Sequence, residues 1–288
     1  MSRRSLFDII QESNSYADKF LNDFIYTTEK LAENGNRKPS KTFKPSSIRC
    51  ERGAVLQVMG AELDKTTKSH NLFFICENGT QTHLLIQSLV TKMKTLGLNW
   101  EYEDVAKYVK DNNIRLEVVS KMDISKGEYE TKLFSKKFNC RFLCDGLLSY
   151  TDSRGKKHYM ILEIKTIASH SFWGLKDVAD KHKQQAISYC TLLHVDSILF
   201  LYQERDMMNK KTFLYTPTTE EKQEWIGKLQ YLNECVKSKI VPPKPIEAGS
   251  KFCVYCQYKN TCKTIGEGAY LSAGNETWLG GDVAIEPS

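Results

Sequence analysis

The spacing of apolar positions divides the chain into a helical first third and a strand-rich middle. Phe7, Ile10, Tyr16, Phe20, Phe24 and Ile25 recur at intervals of mostly three to five residues, which predicts an amphipathic helix over residues 1 to about 30. "ENGNRKPSKTFKPSS" (33–47) breaks that period with Gly35, Pro39 and Pro45 and reads as a polar, basic loop. "SSIRCERGAVLQVMGA" restarts a helix with Ser46 or Ser47 as its N-cap, and "NGTQTHLLIQSLVTKMKTLG" (78–97) predicts another between Thr80 and Gly97. From about residue 114, branched and aromatic residues gather in strand-like runs. These are "IRLEVVSKM", "NCRFLCDGLLSYT" and "KKHYMILEIKTI", the last two flanking the turn-like "DSRG". Helix returns over 173–194, a strand over "SILFLYQE" (197–204), and an amphipathic helix over 220–239 that stops before Pro242 and Pro243.

This succession predicts an α/β fold, helices flanking a mixed central sheet. The expected organisation is a helical extension with a basic linker over 1–45, a main domain over 46–262, and a Gly-rich, acidic tail over 263–288 that is loose or a docking peptide. A hydrophobic share of 41% with 26% charged residues is that of an ordinary globular chain. No apolar run approaches the ~20 residues of a membrane span. Asp8 and Gln11 interrupt any signal-peptide core, so the chain is expected inside the cell, away from membranes. Nine cysteines in a reducing compartment are then thiols or ligands. The net charge of +6 permits a polyanionic partner without identifying one. Basic residues gather in "RKPSKTFK" (37–44), "KLFSKK" (132–137) and "KDVADKHK" (176–183).

Candidate chemistry starts at "LEIKT" (162–166). Glu163 and Lys165 lie two apart in a strand-like run and therefore share a face. An E-x-K on a strand is most often an exposed ion pair, but the hairpin adds to it. If the "DSRG" turn centres on Arg154, Asp145 falls directly opposite Glu163, with beta carbons ~5 Å apart. A two-residue loop would put the two on opposite faces. Carboxylates that close repel unless a cation sits between them, and such oxygen ligands suit Mg²⁺ or Mn²⁺. Lys165 beside them can hold a phosphate oxygen or a nucleophilic water.

In this order "CDGLL", "LEIKT" and "QAISY" resemble the PD-(D/E)XK nucleases of the RecB-like exonuclease group. The resemblance implies a restriction-endonuclease-like core in which Asp145 and Glu163 bind the divalent metal and Lys165 completes the site. It puts the group's Gln-x-x-x-Tyr element on Gln185 and Tyr189, one helical turn apart, with Gln184 as the alternative for the first. It puts the upstream metal-binding histidine on His83 of "GTQTH". The namesake Pro-Asp of the motif reads Cys144–Asp145 here.

"KFCVYCQYKNTCK" supplies Cys253, Cys256 and Cys262, and the fourth ligand of such a set is offered by Cys50. Four thiolates bind zinc or an iron–sulfur cluster. One cysteine before the core and three after it resemble the iron–sulfur RecB-like nucleases, the AddB-type domains and the CRISPR-associated Cas-four family. That resemblance implies a [4Fe-4S] cluster joining the N- and C-terminal segments. Cys76, Cys140, Cys144, Cys190 and Cys235 follow no such pattern and read as core or chance.

The expected activity is therefore metal-dependent hydrolysis of DNA, exonucleolytic, in recombination, replication, repair or CRISPR adaptation, with single-stranded ends as substrate. Phe172 and Trp173 either stack on an unpaired base or pack their loop down. The rival readings are a non-catalytic nucleic-acid-binding protein with a zinc-type four-cysteine site and a nuclease-fold subunit serving assembly. Protein partners and self-association stay open.

Overall fold

The computed structural model describes residues 6–33, 40–64, 69–244, 253 and 256–265. Residues 34–39 of the basic linker and 266–288 of the expected tail lie outside them. Two compact units are present, one of residues 1–38 and 65–80, the other of residues 39–64 and 81–288. The first holds α1 (Leu6–Glu33) and the opening turns of α3 (His70–Val90). Within it the Thr28 hydroxyl lies 2.6 Å from His70 Nδ1, and Phe24 packs on Phe74.

The second unit is built on a five-stranded mixed sheet flanked by helices. Its strands are β1 (Trp100–Glu103), β5 (Gly146–Thr151), β6 (Lys157–Ile167), β7 (Ser197–Glu204) and β8 (Lys210–Tyr215), in that spatial order. Only β6 and β7 run parallel. Their connection carries the short α5 (Ser169–Trp173) and the longer α6 (Asp180–Leu193), since parallel neighbours need a crossover. A smaller antiparallel sheet joins β2 (Glu117–Ser120), β3 (Lys132–Ser135) and β4 (Cys140–Leu143). The remaining helices are α2 (Glu51–Val58), α4 (Val105–Asp111), α7 (Thr219–Lys237) and α8 (Lys259–Thr264). A Thr218–Glu221 capping box starts α7. No helix among the described residues is long and apolar enough to cross a membrane.

Several elements differ from the sequence expectation for local reasons. No helix starts at Ser46 or Ser47. Ser47 closes a turn on Lys44, and Cys50 takes the N-cap of α2, its sulfur accepting from Gly53 N at 3.4 Å. The helix expected to start at Thr80 starts earlier, at His70, and runs through Asn78 and Gly79. "NCRFLCDGLLSYT" is two strands, β4 and β5, belonging to different sheets and meeting at Cys144–Asp145. The helix expected from Trp173 starts only at Asp180. The β5–β6 hairpin follows the expected register, with Gly146 opposite Leu162. Its loop of residues 152–156 is odd in length and centred on Arg154. The loop is held by Asp152 Oδ1 accepting from Arg154 N and Lys156 N, with Gly155 at φ +78°.

Candidate active site

Asp145 sits where the chain passes from the small sheet to the large one. One step beyond the Gly146–Leu162 pair brings it opposite Glu163, and two steps beyond the Lys132–Leu143 pair bring Glu130 opposite it. The junction thus gathers a carboxylate from each side. His83, from α3, completes the group. His83, Glu130 and Asp145 each offer a ligand atom within 4.8 Å of the others.

Each group is held by a named contact. Asp145 Oδ2 accepts from Ile164 N at 2.6 Å and Oδ1 lies 3.2 Å from His83 Nδ1. The Asp145 carbonyl accepts from Gln87 Nε2 at 2.7 Å and from the Tyr102 hydroxyl at 2.7 Å. Gly146 makes room for the Tyr102 ring: a Cβ on it would lie 2.6 Å from that ring, which would have to shift. Lys165 Nζ binds Glu163 Oε1 and donates to Gln185 Oε1 at 3.0 Å, while Gln185 Nε2 donates to the Tyr189 hydroxyl at 2.7 Å. Glu163, Lys165, Gln185 and Tyr189 therefore form one chain of contacts beside Asp145. The Glu163–Lys165 pair is not an exposed surface ion pair, for Glu163 is 2% exposed.

The electrostatics of the group are those of crowded carboxylates. Burial, then the Asp145 charge, pushes Glu163 up to about 8 against the opposing pull of Lys165. Burial and Asp145 likewise raise Glu130. His83 is pulled down by burial, but its hydrogen bond to Asp145 and the charges of Asp145 and Glu163 outweigh this and raise it. Glu163 Oε2 is buried without a hydrogen-bond partner among the described residues. An orphaned buried carboxylate oxygen beside three convergent ligand atoms fits a divalent cation.

Glu130 and Gln87 escaped the sequence reading. Gln87 lies one helical turn from His83 on the same face, a signal the sequence carries. Glu130 precedes β3 in a stretch with a second glutamate, Glu128, and only the β3–β4 register selects between them. Of the two aromatics after β6, Phe172 is buried, whereas Trp173 is exposed with Lys211 Nζ 5.7 Å from its ring centre.

Cys50 and Cys256 are near enough to the other cysteines of the set for their charges to interact. Burial, and after it the neighbouring Cys262 and Cys253, raises the Cys50 thiol. Burial raises Cys256, with added repulsion from Cys50, Cys262 and Cys253. Beside them lies Arg52, fully buried. Its Nε donates to Cys262 Sγ at 3.2 Å, Nη1 to the Pro242 carbonyl at 2.6 Å and Nη2 to the Ile265 carbonyl at 2.5 Å. Asp64 N donates to the Gln257 carbonyl, and Asp64 Oδ2 accepts from Asn260 N at 3.0 Å. The remaining cysteines divide into four buried thiols, Cys140, Cys144, Cys190 and Cys235, and the exposed Cys76.

No protein-family model and no curated protein matches the chain. Among solved structures it is similar to the crystal structure of SSO0001, at 14% identity and a TM-score of 0.41, over 84% of this chain and 96% of that one. It is also similar to an alkaline exonuclease (LHK-Exo) from Laribacter hongkongensis, at 11% identity and a TM-score of 0.32, over 74% and 92% of the two chains. Neither likeness is close enough to carry function.

Proposed function

We propose that the chain is a metal-dependent DNA nuclease of the PD-(D/E)XK, RecB-like type, acting from strand ends. The observation that carries this reading is the buried junction at Asp145. There His83, Glu130 and Asp145 converge beside an orphaned Glu163 oxygen, and a lysine two residues on is locked to that glutamate. Those four residues would hold Mg²⁺ or Mn²⁺, which supplies Lewis-acid polarisation of the phosphate and acidification of a water. The protein's own groups do the rest. The Ile164 amide fixes the Asp145 carboxylate, and the Asp145 hydrogen bond fixes the His83 ring. Lys165 stabilises negative charge that develops on the phosphate, and Gln185, braced by Tyr189, holds the ammonium in place. The exonucleolytic mode rests on the resemblance of "CDGLL", "LEIKT" and "QAISY" to the RecB-like exonuclease group.

Cys50, Cys253, Cys256 and Cys262 are the residues that would hold a [4Fe-4S] cluster. The Arg52 Nε that donates to Cys262 Sγ supports a thiolate at that position. DNA labelled at either end, single-stranded and duplex, incubated with Mn²⁺, tests the activity. Mononucleotides or short products released progressively from one end are expected. Intact DNA at all Mn²⁺ concentrations would leave a binding protein.

A further inference from the structure

The first unit carries an exposed apolar stripe on α1. Thr28 is buried and bonds His70 Nδ1, which fixes the face that α1 turns to the opening turns of α3. Phe20, Phe24 and Leu31 recur at steps of four and seven residues, so they share another face. Phe20 and Leu31 are each more than half exposed, and the Phe20 and Phe24 rings stack with their centres 6.1 Å apart. On the flank of this stripe away from Thr28 stand Lys19 and Asp23, both exposed. They are one turn apart in the lysine-first order, the poorer one for a pair along a helix. Among the described residues neither makes an ion pair.

We propose that this stripe is a self-association surface, on which α1 of a second copy of this chain lies antiparallel about a two-fold axis level with Leu21. Covering exposed phenylalanines drives such a contact, and an isologous pairing asks for one self-complementary face. The charges supply the complementarity. A two-fold axis perpendicular to the helices keeps a flank on one side, so the Lys19 flank of one copy meets the same flank of the other in reverse order. Lys19 lies two residues before Leu21 and Asp23 two residues after it. Each lysine then faces the aspartate of the other copy, twice in the dimer. A parallel pairing would set this flank against the Thr28 side of the second helix and leave both charges unanswered. Asp18 and Glu29 fall on the far side of α1 from Phe20 and stay clear of the contact. The six carboxylates of α1 against its two lysines disfavour a polyanionic surface, membrane or nucleic acid, as the occupant. The pairing is independent of the nuclease reading.

The test is sedimentation equilibrium of the full chain over a wide concentration range, on wild type, Lys19→Glu, Asp23→Lys, these two together, and Phe20→Glu. Wild type should pass from monomer to dimer as concentration rises. Each single reversal places like charges together twice in the dimer and should weaken it about tenfold. The double reversal restores opposite charges with their signs exchanged and should return wild-type association. Phe20→Glu should stay monomeric. The double reversal decides even if Phe20→Glu loses helix, because its recovery cannot come from a folding defect. A wild type that is monomeric throughout would overturn the pairing and leave the stripe to another segment of this chain or to a different protein. Wild-type association in both single reversals, or no recovery in the double, would overturn it equally.

Discussion

In the proposed site Glu163 is the most strained group, buried beside Asp145 with one oxygen unpartnered among the described residues. Its pKa is raised from 4.5 to about 8, by burial first and by Asp145 second. Between those values the folded metal-free protein keeps a proton that the unfolded chain has lost. This group therefore makes the metal-free protein less stable as pH rises through that window. Thermal melts in EDTA from pH 5 to pH 8 should show this fall, and Glu163→Gln should flatten it. An unchanged slope in Glu163→Gln would assign the effect elsewhere. The same proton must leave when a cation binds, which makes metal affinity rise with pH. Gly146 offers a second test. A methyl group there meets the Tyr102 ring, whose hydroxyl supports the Asp145 carbonyl. Gly146→Ala should cost about 1–3 kcal/mol in urea unfolding and lower cleavage as well. A combined Tyr102→Leu change should relieve part of the strain. At this scale Asp145, Glu163 and Lys165 were legible because the strand period and the hairpin register are written in local sequence. Glu130 was not, since it reaches Asp145 only through a pairing between strands whose existence the alternation around Lys132 does not announce.

Elements were legible where they make their own signal. The β6 and β7 runs and α7 carry clear periods and turn residues, and they occupy nearly the expected spans. The strands β1 and β8 went unrecognised because they lie at the two edges of the large sheet, β1 alternating glutamates with aromatics and β8 opening on two lysines. The late start of α6 has a physical reason as well: Ala179 N is bound to the Tyr202 hydroxyl, a tertiary contact that sequence period does not encode. The tie between α2 and the segment after α7 has its centre in Arg52, which reaches residues 242, 262 and 265 at once. Replacing it with methionine removes these bonds while keeping apolar volume. Arg52→Met should lower unfolding free energy by about 2–4 kcal/mol. It should also reduce iron content after anaerobic purification. Stability and iron equal to wild type would mean that the guanidinium is incidental to the cysteine group.

The second unit as a whole holds two proposed metal-binding places built on different principles. One uses oxygen and imidazole donors at a sheet junction, the other thiols from both ends of the unit. The hard oxygen site exchanges its cation readily, whereas a thiolate-bound cluster does not. Adding EDTA should therefore stop cleavage and leave the visible absorbance of the cluster in place, with excess Mn²⁺ restoring activity. Loss of colour together with activity would show that the two places are one. The most direct measurement is Mn²⁺ binding followed by electron paramagnetic resonance of the free ion, on wild type and Asp145→Asn. Asparagine keeps the acceptor for Ile164 N and the volume, so the fold is spared while the charge at the junction is removed. The account predicts saturable Mn²⁺ binding by wild type, at least tenfold weaker binding by Asp145→Asn at an unchanged melting temperature, and loss of DNA cleavage in parallel. Wild-type Mn²⁺ affinity and cleavage in Asp145→Asn would contradict it.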